Sequence, residues 1–164
     1  MQFTFTPMDE ADARQILSWR YEDQYAVYNS ADSESSLTEI LDRRSPYYAV
    51  HNAQNELIGF FCFGTSAQVL GYAVPALYSE DATIDIGLGM RPNLTGNGQG
   101  LAFVQAGLDF AREQFAPRRF RLFVLKFNER AMRVYERVGF ARVRELTRPD
   151  AAGDVTFVEM QREV

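Results

Sequence analysis

The chain has 164 residues, 46% apolar and 24% charged, with a formal net charge of −5 and one cysteine. That length suits a single domain over residues 1–164 with a proper core, and the composition excludes a disordered or low-complexity chain. The acidic balance argues against nucleic acid as a partner, and no apolar run approaches the ~18 residues of a membrane span. Cys62 has no partner within the chain and sits in an apolar run, so it reads as a core residue. His51 is the only histidine, which excludes a Ser-His-Asp triad and a multi-histidine metal site; no metal is expected. Met1 to Pro7 lacks the basic and apolar regions of a secretion signal, so a cytoplasmic location is expected.

In chain order, Phe3 and Phe5 alternate with polar neighbours as a short strand. Pro7 and Asp9 then mark the start of a helix to about Trp19, with Ile16, Leu17 and Trp19 on its buried side. A second helix is predicted around Leu37 to Arg43, where Leu37, Ile40 and Leu41 share a face, and Pro46 stops it. Tyr47 to Asn52 and Glu56 to Gly64 flank an Asn- and Gln-rich turn and read as a β-hairpin. Residues 66 to 82 read as a loop or a short strand. A strand from Thr83 to Met90 leads into a helix from Gly98 to about Phe115, whose Leu101, Val104, Leu108, Ala111 and Phe115 form one stripe. Phe120 to Lys126 is predicted as a buried strand and Glu129 to Val138 as a helix with Ala131, Val134 and Val138 inward, capped by Gly139. Phe140 to Leu146 and Val155 to Arg162 close the chain as a strand pair. The order predicts an α/β fold with a mixed sheet.

Between the strand at Thr83 and the next helix lies the loop Thr95, Gly96, Asn97, Gly98, Gln99, Gly100. A glycine loop that runs from a strand into a helix presents backbone N–H groups with the positive end of the helix dipole behind them, an arrangement that binds phosphate. The G-x-G-x-x-G dinucleotide spacing fails at Leu101 and at Phe103. The P-loop pattern fails because the only lysine, Lys126, is remote from the glycines. A tight strand-to-helix connection remains the plain alternative.

Further on, the chain reads Phe127, Asn128, Glu129, Arg130, Ala131, with Tyr135 and Gly139-Phe140 downstream. The glycine loop, the strand after it and this Asn-Glu-Arg-Ala…Tyr…Gly-Phe run closely resemble the GNAT superfamily of acyl-CoA N-acyltransferases, best over Thr83 to Phe140. The resemblance implies a mixed, mostly antiparallel sheet of about six or seven strands, with about four helices and a central parallel strand pair splayed for the cofactor. It also implies acetyl-CoA as acyl donor, with its pyrophosphate on Thr95, Gly96, Asn97, Gly98, Gln99 and Gly100. Thr95 departs from the family, which usually carries Arg or Gln there.

By the same resemblance, the strand end Leu88, Gly89, Met90 bulges and offers its amides to the pantetheine arm and the acyl carbonyl. Gly87 and Gly89 fit such a bulge, or a close backbone approach. Asn128 matches the family asparagine facing pantetheine, and is equally a natural helix N-cap. Tyr135 matches the tyrosine that protonates the departing thiolate, with an interfacial core tyrosine on an amphipathic helix as the plain alternative. Asp85 stands where relatives carry a glutamate base and would act through a water relay, with Glu80 and Asp81 weaker candidates; an acid between Ile84 and Ile86 needs a reason, and solvent exposure on one face of the sheet is the plain alternative. Trp19, Tyr21, Tyr25, Tyr28 and Glu80 are expected to line the acceptor pocket, with core and rim packing an equal alternative for the four aromatic residues, and Arg118, Arg119 and Arg121 to be either a solvated charge run or a site for the 3′-phosphate. The expected function is N-acetyl transfer to a primary amine of a small molecule or peptide, with a homodimer as one assembly. A catalytically weak acyl-CoA sensor or scaffold is the alternative, and a phosphate binder unrelated to coenzyme A a third reading.

Overall fold

The computed structural model describes residues 2–70, 78 and 82–164. Its seven strands are β1 (Thr4–Pro7), β2 (Tyr47–His51), β3 (Leu57–Phe63), β4 (Thr83–Met90), β5 (Arg119–Leu125), β6 (Ala141–Arg148) and β7 (Val155–Glu163). Four α-helices accompany them: α1 (Glu10–Ser18), α2 (Glu34–Ile40), α3 (Gly100–Phe115) and α4 (Glu129–Arg137). The strand order is β1-β2-β3-β4-β5-β7-β6, with β4 and β5 parallel. The chain divides into two compact units, Met1–Cys62 with Leu88–Gly100, and Phe63–Gly87 with Leu101–Val164, so β4 contributes to both.

In the first unit, β1, β2 and β3 form an antiparallel ladder. α1 starts where Asp9 accepts from the Asp12 N–H at 2.8 Å, and it buries Ala13, Ile16 and Leu17. α2 lies three residues earlier than the Leu37-to-Arg43 pattern suggests, because Ser33 caps it by accepting from the Ser36 N–H. Leu37 and Ile40 still face inward, joining Ala13, Ile16, Leu17, Trp19, Ala49 and Leu57 in one core. The hairpin turn is set by Asn52, whose side-chain oxygen accepts from the N–H groups of Gln54 and Glu56.

In the second unit, β5 pairs antiparallel with β7 from Arg119 to Leu125, and β6 flanks β7. α3 begins at Gly100 rather than Gly98, since Gly98 has φ +76° and cannot enter a right-handed helix. Phe103, Val104, Gly107, Leu108 and Ala111 form its buried stripe. Phe115, expected in that stripe, is 38% exposed but still stacks on Phe63 at 5.1 Å. In α4 the buried residue is Met132; Ala131 and Val134 are only half-buried, and Val138 is the helix C-cap. Gly139 ends the helix with φ +96°, as its place predicts.

Candidate active site

The glycine loop belongs to the first unit. Pro92–Leu94 forms a short 3₁₀ turn after β4, followed by the loop itself. Gly96 and Gly98 both hold positive φ, +80° and +76°, a region that side-chain-bearing residues enter only at a cost. Gly96, Asn97 and Gly98 are exposed, and a Cβ built on Gly98 meets nothing within 4 Å, so the cradle is open. The Thr95 hydroxyl is turned back to donate to the Pro92 carbonyl at 2.8 Å, and Asn97 donates to the Asn93 carbonyl at 3.2 Å. With these two side chains bonded within the loop, the exposed residues Gly96, Asn97 and Gly98 offer backbone N–H groups, a donor type that suits a pyrophosphate.

The end of β4 is fixed from two sides within the same unit. The Phe60 ring lies over Gly89 so closely that a Cβ there would come within 2.7 Å of the ring's Cζ. The close neighbour at Gly89 is thus a side-chain ring, where a glycine inside a strand suggests a bulge or a close backbone. Just beyond, the Arg91 N–H donates to the Ile58 carbonyl at 2.8 Å and its guanidinium to Leu57 at 3.2 Å. The Tyr21 hydroxyl donates to the Met90 carbonyl at 2.7 Å, across 69 positions of sequence. Asn29 holds the Tyr21 backbone on both sides, accepting from its N–H and donating to its carbonyl. Burial pushes the Tyr21 phenol up to about 12, with the nearby Tyr28 adding to the effect.

In the second unit, the parallel ladder pairs Thr83 with Arg119, Ile84 with Phe120 and Asp85 with Arg121. It goes no further, although β4 runs on to Met90 and β5 to Leu125. The last rung carries a buried ion pair: Arg121 Nε donates to Asp85 Oδ1 at 2.6 Å and Nη2 to Oδ2 at 3.1 Å. Gln68 adds a third donor to Oδ2 at 3.1 Å. The guanidinium lies over the rings of Tyr78 and Phe123, 5.2 and 5.7 Å from their centres. Burial, ahead of the other influences on it, raises the pKa of Tyr78. Asn128 caps α4, its side-chain oxygen accepting from the Ala131 N–H at 3.1 Å. Tyr135 follows seven residues later, two turns along the same helix face, with its ring edge-on to Phe140 at 6.2 Å.

A family model described as an acetyltransferase (GNAT) domain matches residues 2–141. The chain belongs to the GNAT acetyltransferase family. Over 81 residues it is 36% identical to the mycothiol acetyltransferase of Salinispora tropica, covering 47% of this chain and 26% of that protein. The match thus spans about a quarter of that relative's length. Among solved structures, the GNAT-family acetyltransferase of Bacillus anthracis superposes with a TM-score of 0.77 at 15% identity, over 99% of this chain and 95% of that one. A chimera of the Vibrio cholerae spermidine N-acetyltransferase gives 0.74 at 19% identity, over 99% and 96%. At such identities the structural likeness speaks for the GNAT fold.

The remaining expected site residues are placed as follows. Trp19 is 8% exposed and belongs to the core beside Ile16 and Leu17, because it continues the buried stripe of α1. Tyr25 is half-buried and Tyr28 exposed, both on the 3₁₀ segment Asp23–Tyr28, and Tyr28 meets the Tyr21 ring edge-on at 6.2 Å. Arg121 is withdrawn from any phosphate by its pairing with Asp85, and Arg119 is tied to Glu163 at 2.6 Å. Glu80 and Asp81 lie outside the described residues. The roles of Phe60 and Gln68 are absent from the sequence reading. A signal for the Asp85–Arg121 pair was present, since each charge interrupts an apolar run, Ile84 to Ile86 and Phe120 to Leu122. No helix among the described residues is long and apolar enough to cross a membrane.

Proposed function

We propose that the chain is an acetyl-CoA-dependent N-acetyltransferase, its 164 residues acting as one catalytic domain on a primary amine of a small molecule or a peptide N-terminus. The observation that carries this reading is the open loop from Thr95 to Gly100, with its two left-handed glycines at the start of α3 in a chain of the GNAT family. The residues fit the donor: exposed amides at Gly96, Asn97 and Gly98 would take the pyrophosphate, and the amides of Leu88, Gly89 and Met90 the pantetheine arm and acyl oxygen. Acetyl-CoA, when bound, supplies an acyl thioester whose carbonyl a neutral amine attacks, forming the amide bond as the carbon–sulfur bond breaks.

The chain's own contribution is then positioning and proton supply. Tyr135 is assigned as the acid that donates its phenolic proton to the departing sulfur, and Asn128 shares its helix face. Asp85 is not assigned as the base: Arg121 and Gln68 occupy its two oxygens, and the pair is buried. The amine proton leaves to water in this reading. Relatives named for spermidine and for mycothiol differ in acceptor, so the acceptor panel should be broad.

The test couples calorimetry of acetyl-CoA binding with thiol release across spermidine, simple primary amines, amino acids and a peptide. Binding with acceptor-dependent thiol release supports the enzyme; binding without turnover on any acceptor supports a sensor; no binding removes the donor assignment. Tyr135→Phe should lower kcat by ~10²- to 10⁴-fold if the phenol acts as acid. An unchanged kcat removes it from the mechanism.

A further inference from the structure

Asp85 and Arg121 stand directly opposite each other on the final rung of the β4–β5 ladder, with side chains 3% and 1% exposed. Backbone hydrogen bonds in a parallel pair are evenly spaced and do not by themselves say where pairing stops. A buried charge pair does. Removing one partner deprives the other of its counter-charge in a low-dielectric interior, and a one-residue slip of either strand puts the two side chains on opposite faces of the sheet. The bidentate contact, the Gln68 donor and the stacked rings of Tyr78 and Phe123 hold the rung in one register. Immediately after it, Ile86 and Gly87 have no ladder partner on β5.

We infer that Asp85 and Arg121 are a positioning pair that sets the point at which β4 leaves β5, just ahead of Leu88, Gly89 and Met90 in the same strand. This rests on the reading above, in which those three residues receive the acyl donor. The pair acts through the backbone and touches no reacting atom. It also explains why an acid is kept between Ile84 and Ile86 without serving as a base.

Four variants test this: Asp85→Asn, Arg121→Gln, both together, and the apolar double Asp85→Val with Arg121→Met, which removes both charges and guards against misfolding. Displacing the strand end should lower kcat/KM by ~10²-fold in each single variant. The polar double should be no worse than either single, because the two residues act as one unit. The limbs of the kcat pH profile should stay in place. Amide exchange at Ile86 and Gly87 should accelerate in all four, while Val124 and Val158 on the β5–β7 ladder keep their rates.

If Arg121→Gln keeps wild-type kcat/KM while Asp85→Asn loses it and shifts a pH limb, Asp85 is the base and the inference falls. If the apolar double regains wild-type kcat/KM, the pair only fills space and the inference also falls. Should the wild type fail to bind acetyl-CoA, the proposed donor is wrong. The exchange measurement then still decides the pair, since unchanged rates at Ile86 and Gly87 refute it without any ligand.

Discussion

Replacing Tyr21 with phenylalanine removes one oxygen and leaves the ring. The edge-on contact with Tyr28 survives, as do the two backbone hydrogen bonds shared with Asn29, so the change isolates the 2.7 Å bond to the Met90 carbonyl. An acceptor left unsatisfied in the interior costs ~1–3 kcal/mol, and Met90 is only half-buried, so water replaces part of the loss and the lower end applies. For a domain of this size, ~1 kcal/mol is a fall of about 2–4 °C in Tm. If the Met90 strand end also receives the donor, acetyl-CoA affinity should fall up to about tenfold, the equivalent of ~1.4 kcal/mol. Thermal unfolding and calorimetry read the two effects separately. A lower Tm with unchanged donor affinity would remove Met90 from the donor site, and no change in either would show that the bond stabilises nothing.

The same variant carries a pH signature. Burial raises the Tyr21 phenol from 10.0 to about 12, so the folded state holds this proton more tightly than the unfolded one. Below pH 10 both states are protonated and the contribution is complete. As pH climbs from 10 to about 12 the unfolded chain ionises first, and stability drains away until the folded group also titrates. Tyr47, raised mainly by its own burial, contributes a slope of the same sign. Tyr21→Phe should therefore flatten, without abolishing, the loss of stability above pH 10 in urea titrations; an unaltered slope would mean Tyr21 is not buried as described.

In the glycine loop, Gly98→Ala has room for its methyl but must hold φ +76°, which costs ~1–2 kcal/mol, whereas Gly98→Leu also covers the cradle. Acetyl-CoA affinity should fall most in Gly98→Leu and least in Thr95→Ala, whose hydroxyl faces Pro92; the reverse order by calorimetry would mean that side chains rather than amides hold the phosphate. Gly89→Ala should destabilise by ~1–3 kcal/mol through its clash with Phe60, measured by urea unfolding. Adding Phe60→Leu should recover most of that loss, and no recovery would place the damage in the backbone instead.

Local order was legible in the sequence wherever one residue decides it. Asp9 before Glu10, Asn128 before Glu129 and Gly139 after Val138 each settle a helix end through a cap or a positive φ, and all three lie where the pattern put them. The strand Thr83–Met90 was equally plain, because its apolar alternation ends at the proline turn. The start of α2 was less plain, because Ser33 competes as cap with several neighbouring serines. Trp19 was open to two readings, the buried side of α1 or a pocket wall, and the core assembled from α1, α2, β2 and β3 holds it on the buried side.

The candidate site shows the same division more sharply, in its glycines and its acid. Gly96 and Gly98 are required by backbone angle, a property of the loop itself, and their spacing announces it. Gly89 is required by space, and only the position of Phe60, on another strand, reveals that. Asp85 reads as a base from its match to the family glutamate, and as an acid that interrupts an apolar strand it needs a reason. Once β5 pairs in parallel with it, Arg121 arrives at the same rung and the demand is met by a neighbour 36 positions away. A charge that interrupts an apolar strand should therefore be tested first against opposite charges that interrupt other strands. Chemistry is the better explanation only when no such partner reaches it.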